Sequence, residues 1–270
     1  MSKNLSPNIA VIKLSALGDI VHAVVILQFI EKHLPKAKIT RFADAKFSEI
    51  LFLCPQISRV VSLPLKNGEY KKSLELIASA KQEGKFDYII DLQGLLKSAA
   101  VAKLLGKNSY GFDKFSLKEP LAALFYKHKF SCDYAKNIIL RNLGLTAFAL
   151  GFSFSEDEIL AKQPCFSARQ SKFDSSKKKI LIAPFASEPS KIYDKFGDVI
   201  ALLDDSQNEI FVCFNGEKEE KEALNLIKDS NAKPLNLSLK ELVSFISSCD
   251  LVIGNDIGVT HIAWAQNRPS

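Results

Sequence analysis

The chain has 270 residues, 47% of them apolar and 24% charged, with a net charge of +6. That length fits two domains of roughly 100 to 150 residues, and the mixed composition has no proline, glycine or glutamine tract and no fixed-period repeat, which excludes a disordered chain or a solenoid. The longest apolar run, Ala23 to Ile30, is broken by Gln28 and falls short of the roughly 20 residues that cross a bilayer, so no transmembrane segment is expected.

In chain order, Met1 to Pro7 lacks a signal-peptide pattern, which points to a cytoplasmic protein. Ile9 to Ile12 reads as a strand, Ile20 to Leu34 as a helix and Lys38 to Phe42 as a strand. Arg59 to Leu63 (strand), Lys71 to Gln82 (helix), Tyr88 to Asp91 (strand) and Leu95 to Leu105 (helix) continue the series. Repeated βαβ units predict a parallel sheet covered by helices on both faces. From about Gly144 to Lys179 the pattern loosens. The expected domains are therefore 1–150, a linker region 151–178, and 179–270. The last has strands at Lys179 to Ala183, Ile210 to Phe214 and Leu251 to Ile253, with helices at Phe196 to Leu203, Glu217 to Lys228 and Leu239 to Ser247. The fold class is α/β.

Five cysteines, odd in number and without C-x-x-C spacing, read as reduced thiols in or near the cores. Between Val101 and Arg141 eight Lys/Arg residues face only Asp113, Glu119 and Asp133. Such a cluster is either a solvated surface or an anion-facing one, and no helix-turn-helix, zinc-finger or aromatic-basic signature accompanies it to suggest nucleic acid.

Candidate chemistry gathers where strands hand over to helices, since ligands of open parallel sheets bind beyond the carboxyl ends of strands. Asp19 follows the first strand, with Gly18 beside it and Lys13 placed to compensate an anion; local spacing by itself favours a helix cap at this position. Gly94 opens another helix with Lys97 and Ser98 in its first turn. In the second domain, Pro184 to Lys191 carries Ser187 and Lys191 on a loop suited to a diphosphate. Asp256-Ile257-Gly258 ends the last strand and opens a helix bearing Thr260 and His261, whose amides favour phosphate oxygens. No D-x-D pair or histidine cluster is present, so metal-independent chemistry is expected.

Taken together, Lys13 to His22, Asp91 to Ser98 and Asp256 to His261 resemble the ADP-heptose glycosyltransferases of glycosyltransferase family nine, and Glu119 to Tyr126 looks like the members that add the first heptose. The resemblance implies the glycosyltransferase-B fold, two Rossmann-like lobes facing a cleft, with the acceptor on the first and ADP-heptose on the second. It implies transfer of L-glycero-D-manno-heptose, with inversion, to the Kdo residue of Kdo2-lipid A at the inner membrane surface, without a cofactor. On this likeness Asp19 is the general base. Ser187, Lys191, Glu220, Leu237, Asp256, Ile257, Gly258 and His261 hold the nucleotide sugar: Glu220 at the ribose, Leu237 at the adenine. Lys13, Lys97 and Lys118 face the acceptor. Family members continue past Pro269, so an incomplete second lobe is expected. Addition of a later heptose, or nucleotide binding without chemistry, are the rival readings; a dehydrogenase is disfavoured because Ser15 to Asp19 lacks G-x-G-x-x-G.

Overall fold

In the computed structural model, which describes residues 6–168, 176–186 and 188–270, Ile9, Ala10, Val11 and Ile12 are all fully buried. A strand apolar at every position has both faces covered, the environment of a parallel sheet between helices. This strand, β1 (Asn8–Ile12), is followed by α1 (Leu17–Val24), α2 (Ile26–His33), β2 (Lys38–Asp44), β3 (Ile57–Leu63), α3 (Tyr70–Gln82) and β4 (Tyr88–Asp91). Then come α4 (Leu96–Leu105), β5 (Ser109–Phe112), β6 (His128–Phe130), α5 (Ile138–Leu150) and α6 (Glu156–Leu160). The six strands form one parallel sheet in the order β3-β2-β1-β4-β5-β6. The chain runs outward from β1 on one side, then returns to β4 and runs outward on the other. This reversal leaves a crevice at the carboxyl ends of β1 and β4.

The chain divides into two compact units, Met1–Cys165 and Phe166–Ser270. The second contains β7 (Lys178–Ala183), α7 (Phe196–Leu203), β8 (Asn208–Cys213), α8 (Glu217–Ile227), β9 (Lys233–Leu235), α9 (Leu239–Ser247), β10 (Leu251–Gly254) and α10 (Gly258–Ala265). Its parallel sheet has the order β10-β7-β8-β9, so the same reversal falls between β7 and β10. Ile180, Ile182, Phe196, Ile200, Val212 and Ala223 form its core between sheet and helices. A reciprocal cap starts α9: Ser238 N–H donates to Glu241 Oε2 (3.0 Å) and Glu241 N–H donates to Ser238 Oγ (3.4 Å).

The α/β class with parallel sheets is the one expected, and several boundaries differ. The helix expected over Ile20 to Leu34 is two helices meeting at Val25. The pattern that loosened from Gly144 hides α5, which runs straight through that glycine. A Cβ at Gly144 would lie 3.0 Å from Phe130 Cζ, so this glycine serves close packing of the helix on the edge strand and not a break. β5, β6 and β9 went unpredicted because three- or four-residue strands carry too little periodicity to register. Within 151–178, α6 is capped by Ser155, which accepts from Glu158 N–H (3.3 Å), while residues 169–175 lie outside the described residues.

Candidate active site

The crevice of the first unit is built by the turns after the neighbouring strands β1 and β4, which hold one another. Asp91, fully buried at the end of β4, accepts from the N–H groups of Gln93 (2.9 Å) and Gly94 (3.3 Å) through Oδ1 and from the Tyr126 hydroxyl through Oδ2 (2.6 Å). Burial pushes this carboxyl above its ordinary range against those hydrogen bonds. The turn thus fixed directs Gln93 Oε1 at the loop after β1, where it accepts from Leu14 N–H (3.1 Å) and Ser15 N–H (3.2 Å). Lys13 Nζ donates to the Leu92 carbonyl (3.1 Å) and lies 3.5 Å from Asp19 Oδ1.

Asp19 sits in the first turn of α1, where the positive end of the helix favours a carboxylate. Its Oδ2 accepts from Ala16 N–H (3.2 Å), so it caps the helix, while Oδ1 faces Lys13 and the side chain is 41% exposed. The capping reading of Asp19 therefore holds for one oxygen, while the other pairs with Lys13. Lys13 is only 3% exposed, and the anion it compensates is Asp19 itself. Burial pushes its ammonium below the usual lysine range, and the Asp19 and Asp91 carboxylates oppose that shift.

Beside this loop a cavity of about 100 Å³ is lined by Leu14, Ser15, Asp44, Lys66, Gln93 and Lys97, among others. Lys97 is exposed, with Nζ 5.8 Å from the Tyr70 ring centroid. Lys66 joins it because its N–H donates to the buried Asp44 carboxylate (2.8 Å), a position that sequence pattern did not single out. Lys118 is exposed and does not line this cavity.

At the second crevice Asn255 does the sewing. Its Nδ2 donates to the Pro184 carbonyl (2.6 Å) and its Oδ1 accepts from Tyr193 N–H (3.0 Å), tying the loop after β7 to the end of β10. A Cβ at Gly254 would lie 2.8 Å from the Ala183 carbonyl oxygen, so glycine lets the two strand ends close up. Lys191 Nζ then reaches Asp256 Oδ2 (2.8 Å) and His261 Nε2 lies 3.2 Å from Asp256 Oδ1. Thr260 Oγ donates to the carbonyls of Asn255 (3.0 Å) and Ile257 (2.8 Å), bracing Ile257 and Gly258 at the start of α10. Lys191, 65 residues before Asp256, joins Asp256 and His261 in one polar cluster at the mouth of the sheet.

Ser187 lies outside the described residues. Glu220 is exposed in the first turn of α8, and Leu237 is half-buried just before α9. Among the described residues neither shares a hydrogen bond with the Lys191, Asp256 and His261 cluster. A groove of about 460 Å³ in this unit is lined by Phe185, Ala186, Tyr193, Lys218, Glu219 and Glu222, with other residues of the same loops. Glu219 and Glu222, not Glu220, are the acidic residues of α8 on its wall. Among the described residues no group of three His, Cys, Asp or Glu side chains is arranged to hold a metal ion. The scaffolding residues Asp91, Gln93, Tyr126 and Asn255 lie in or beside the motifs that carry the resemblance, but sequence reasoning gave them no role. An acid followed by x-x-Gly directly after a strand is the signal that could have flagged Asp91.

The sequence profile of glycosyltransferase family 9 (heptosyltransferase) matches residues 77–270. Lipopolysaccharide heptosyltransferase 1 of Campylobacter coli is 39% identical, covering 97% of this chain and 82% of that protein. Lipooligosaccharide heptosyltransferase 2 of Campylobacter jejuni (serotype O:6) is 27% identical over 92% of this chain and 75% of that protein. Escherichia coli heptosyltransferase WaaC, solved with ADP-2-deoxy-2-fluoro heptose, shares the fold with a TM-score of 0.84 at 23% identity, over 97% of this chain and 87% of that one.

Proposed function

The chain belongs to glycosyltransferase family 9, the heptosyltransferases, and on that premise we propose that it moves L-glycero-D-manno-heptose from ADP-heptose to the Kdo residue of Kdo2-lipid A, with inversion, during lipopolysaccharide inner-core synthesis. The observation that carries the reading is the half-exposed Asp19 carboxylate held by Lys13 at the crevice of the first unit. Inversion needs one group to take the acceptor hydroxyl's proton as the anomeric carbon develops positive charge. A positioned carboxylate contributes roughly 10²- to 10⁴-fold in that role, or about 3–5 kcal/mol of barrier. Its capping bond to Ala16 and its ion pair with Lys13 restrict it to one orientation.

The departing ADP needs its growing charge met by fixed cations and amides. Lys191, the amides of Ile257 and Gly258 at the start of α10, and Ser187 serve this on our reading. Asp256 and His261 orient the lysine and the donor sugar, Glu220 binds the ribose and Leu237 lines the adenine. With these groups in place the step does not call for a divalent ion, and turnover undiminished by a chelator is the matching expectation. Lys97 and Lys118 attract the carboxylates and phosphates of the acceptor; Lys13 acts on it through Asp19. The greater identity to a heptosyltransferase 1 than to a heptosyltransferase 2 favours the first-heptose acceptor over a later one.

Asp19→Asn tests the reading against nucleotide binding without chemistry. Turnover of ADP-heptose with Kdo2-lipid A should fall by about 10²-fold or more while ADP binding, followed by calorimetry, stays as in the parent. Retained turnover would remove Asp19 as base. Product formed on a monoheptosylated acceptor and not on Kdo2-lipid A would move the enzyme one step along the core.

A further inference from the structure

Between β5 and β6 the chain leaves the sheet over residues 113–127, and its side chains sort into two sets. Ser116, Leu117, Ala122, Ala123 and Tyr126 are buried. They seat the excursion on the body of the unit: the 3-10 turn Pro120–Phe125 packs on α4, and Leu96 N–H donates to Glu119 Oε2 (2.7 Å). The outward set is Lys114, Phe115, Lys118, Leu121, Leu124 and Lys127. Phe115, Leu121 and Leu124 are 78%, 63% and 74% exposed. Leu121 and Leu124 stand three apart in a 3-10 turn, which stacks them on one face.

The two acids of the excursion are half-buried and engaged. Asp113 Oδ1 accepts from Phe115 N–H (3.1 Å) and from the Ser116 hydroxyl (2.6 Å), and Glu119 holds Leu96. The outward face is therefore apolar and cationic. Large exposed apolar groups alternate along this segment with exposed lysines, Lys114 Nζ lying 4.8 Å from the Phe115 ring centroid; lysine stems can lie along apolar surface while their charges stay wet, which matches the boundary between anionic head groups and acyl chains. We infer that residues 113–127 form a membrane-contact surface. Phe115, Leu121 and Leu124 enter the head-group boundary of an anionic bilayer, and Lys114, Lys118 and Lys127 meet its phosphates. The excursion shares α4 with Lys97, so a lipid-borne acceptor is brought to the unit that carries Asp19. That consequence for turnover rests on the proposed acceptor, whereas the surface itself does not.

The test uses the protein with vesicles of phosphatidylcholine mixed with phosphatidylglycerol and with vesicles of phosphatidylcholine alone, read by co-sedimentation. The expected result is binding to the mixed vesicles, weakened by salt, with a partition coefficient about tenfold or more lower for the triple variant Phe115→Ser, Leu121→Ser, Leu124→Ser at unchanged Tm. Lys114→Gln with Lys127→Gln should weaken binding as well. Binding by the serine variant equal to that of the parent overturns the proposal, and so does indifference to anionic vesicles or self-association that covers Phe115, Leu121 and Leu124 instead. Turnover separates this from the functional reading. The serine variant should match the parent on an acceptor stripped of its acyl chains and fall behind on one embedded in vesicles. No turnover by any form on either acceptor would sink heptosyl transfer and leave the vesicle result to decide the surface.

Discussion

Gln93→Leu removes the acceptor that holds the loop in front of Asp19 while keeping most of the side-chain volume. Gln93 Oε1 takes two backbone amides, Leu14 N–H and Ser15 N–H. Leu14 is 6% exposed, so its amide finds no water when the acceptor is gone; Ser15 is half-buried and recovers part of its loss. At ~1–3 kcal/mol per amide left unpaired in the interior, the sum is about 2–3 kcal/mol. For a unit of this size each kcal/mol moves Tm by ~2–4 °C, so a fall of about 5–10 °C is expected by differential scanning calorimetry. Because the freed loop carries Asp19, kcat with ADP-heptose should fall by about 10-fold to 100-fold. Gln93→Glu keeps an acceptor and should restore most of the stability. A leucine variant that melts with the parent, or turns over as fast, would refute the claim that this amide positions Asp19, the proposed base.

Three further expectations follow from packing and charge. Burial raises the Asp91 carboxyl above its ordinary 3.8, so the native state binds more protons than the unfolded one between 3.8 and the raised value. Stability should therefore drop as pH rises through that window and stay lowered above it. Asp91→Asn, which can still accept from Gln93 N–H, should flatten that slope in urea titrations across mildly acidic pH, and an unchanged slope would count against it. Gly254→Ala puts a methyl 2.8 Å from a backbone carbonyl with no flexible neighbour to yield; a loss of about 1–3 kcal/mol and weaker ADP binding should appear by thermal unfolding and calorimetry. Burial pushes the Cys165 thiol up to about 11 and those of Cys213 and Cys249 up to about 12, and raises Cys54 further. Since the thiolate is the nucleophile, a variant without the two part-exposed thiols, Cys132→Ser with Cys213→Ser, should stay silent to a thiol reagent until unfolded, and fast native labelling would show a more open interior.

The long elements were legible because each carries a periodic apolar face. Phe196–Leu203 and Leu239–Ser247 match the structure at both ends, and β1 was readable from four consecutive buried apolar positions. What stayed hidden depends on partners remote in sequence. Gly144 looked like a break until Phe130 was seen against it. β5 and β6 are too short to show a period, and β5 is stitched in place by a tyrosine ring on Gly111, where a Cβ would lie 2.3 Å from Tyr126 Cδ2. At the sites, motif spacing placed Asp19, Lys191, Asp256 and His261 at strand ends, yet it could not tell that Lys13 turns inward to Asp19. It also could not show that Glu219 and Glu222 line the groove that Glu220 leaves. Those are questions of which way one turn of chain rotates, and periodicity does not resolve a single residue step.

Each crevice is laced by a primary amide, Gln93 in the first unit and Asn255 in the second. A side-chain amide is planar and both donates and accepts but bears no formal charge, so it can lock a loop without adding charge to the crevice. Formal charge beside these amides is thereby left to ion pairs, Lys13 with Asp19 in the first unit and Lys191 with Asp256 in the second.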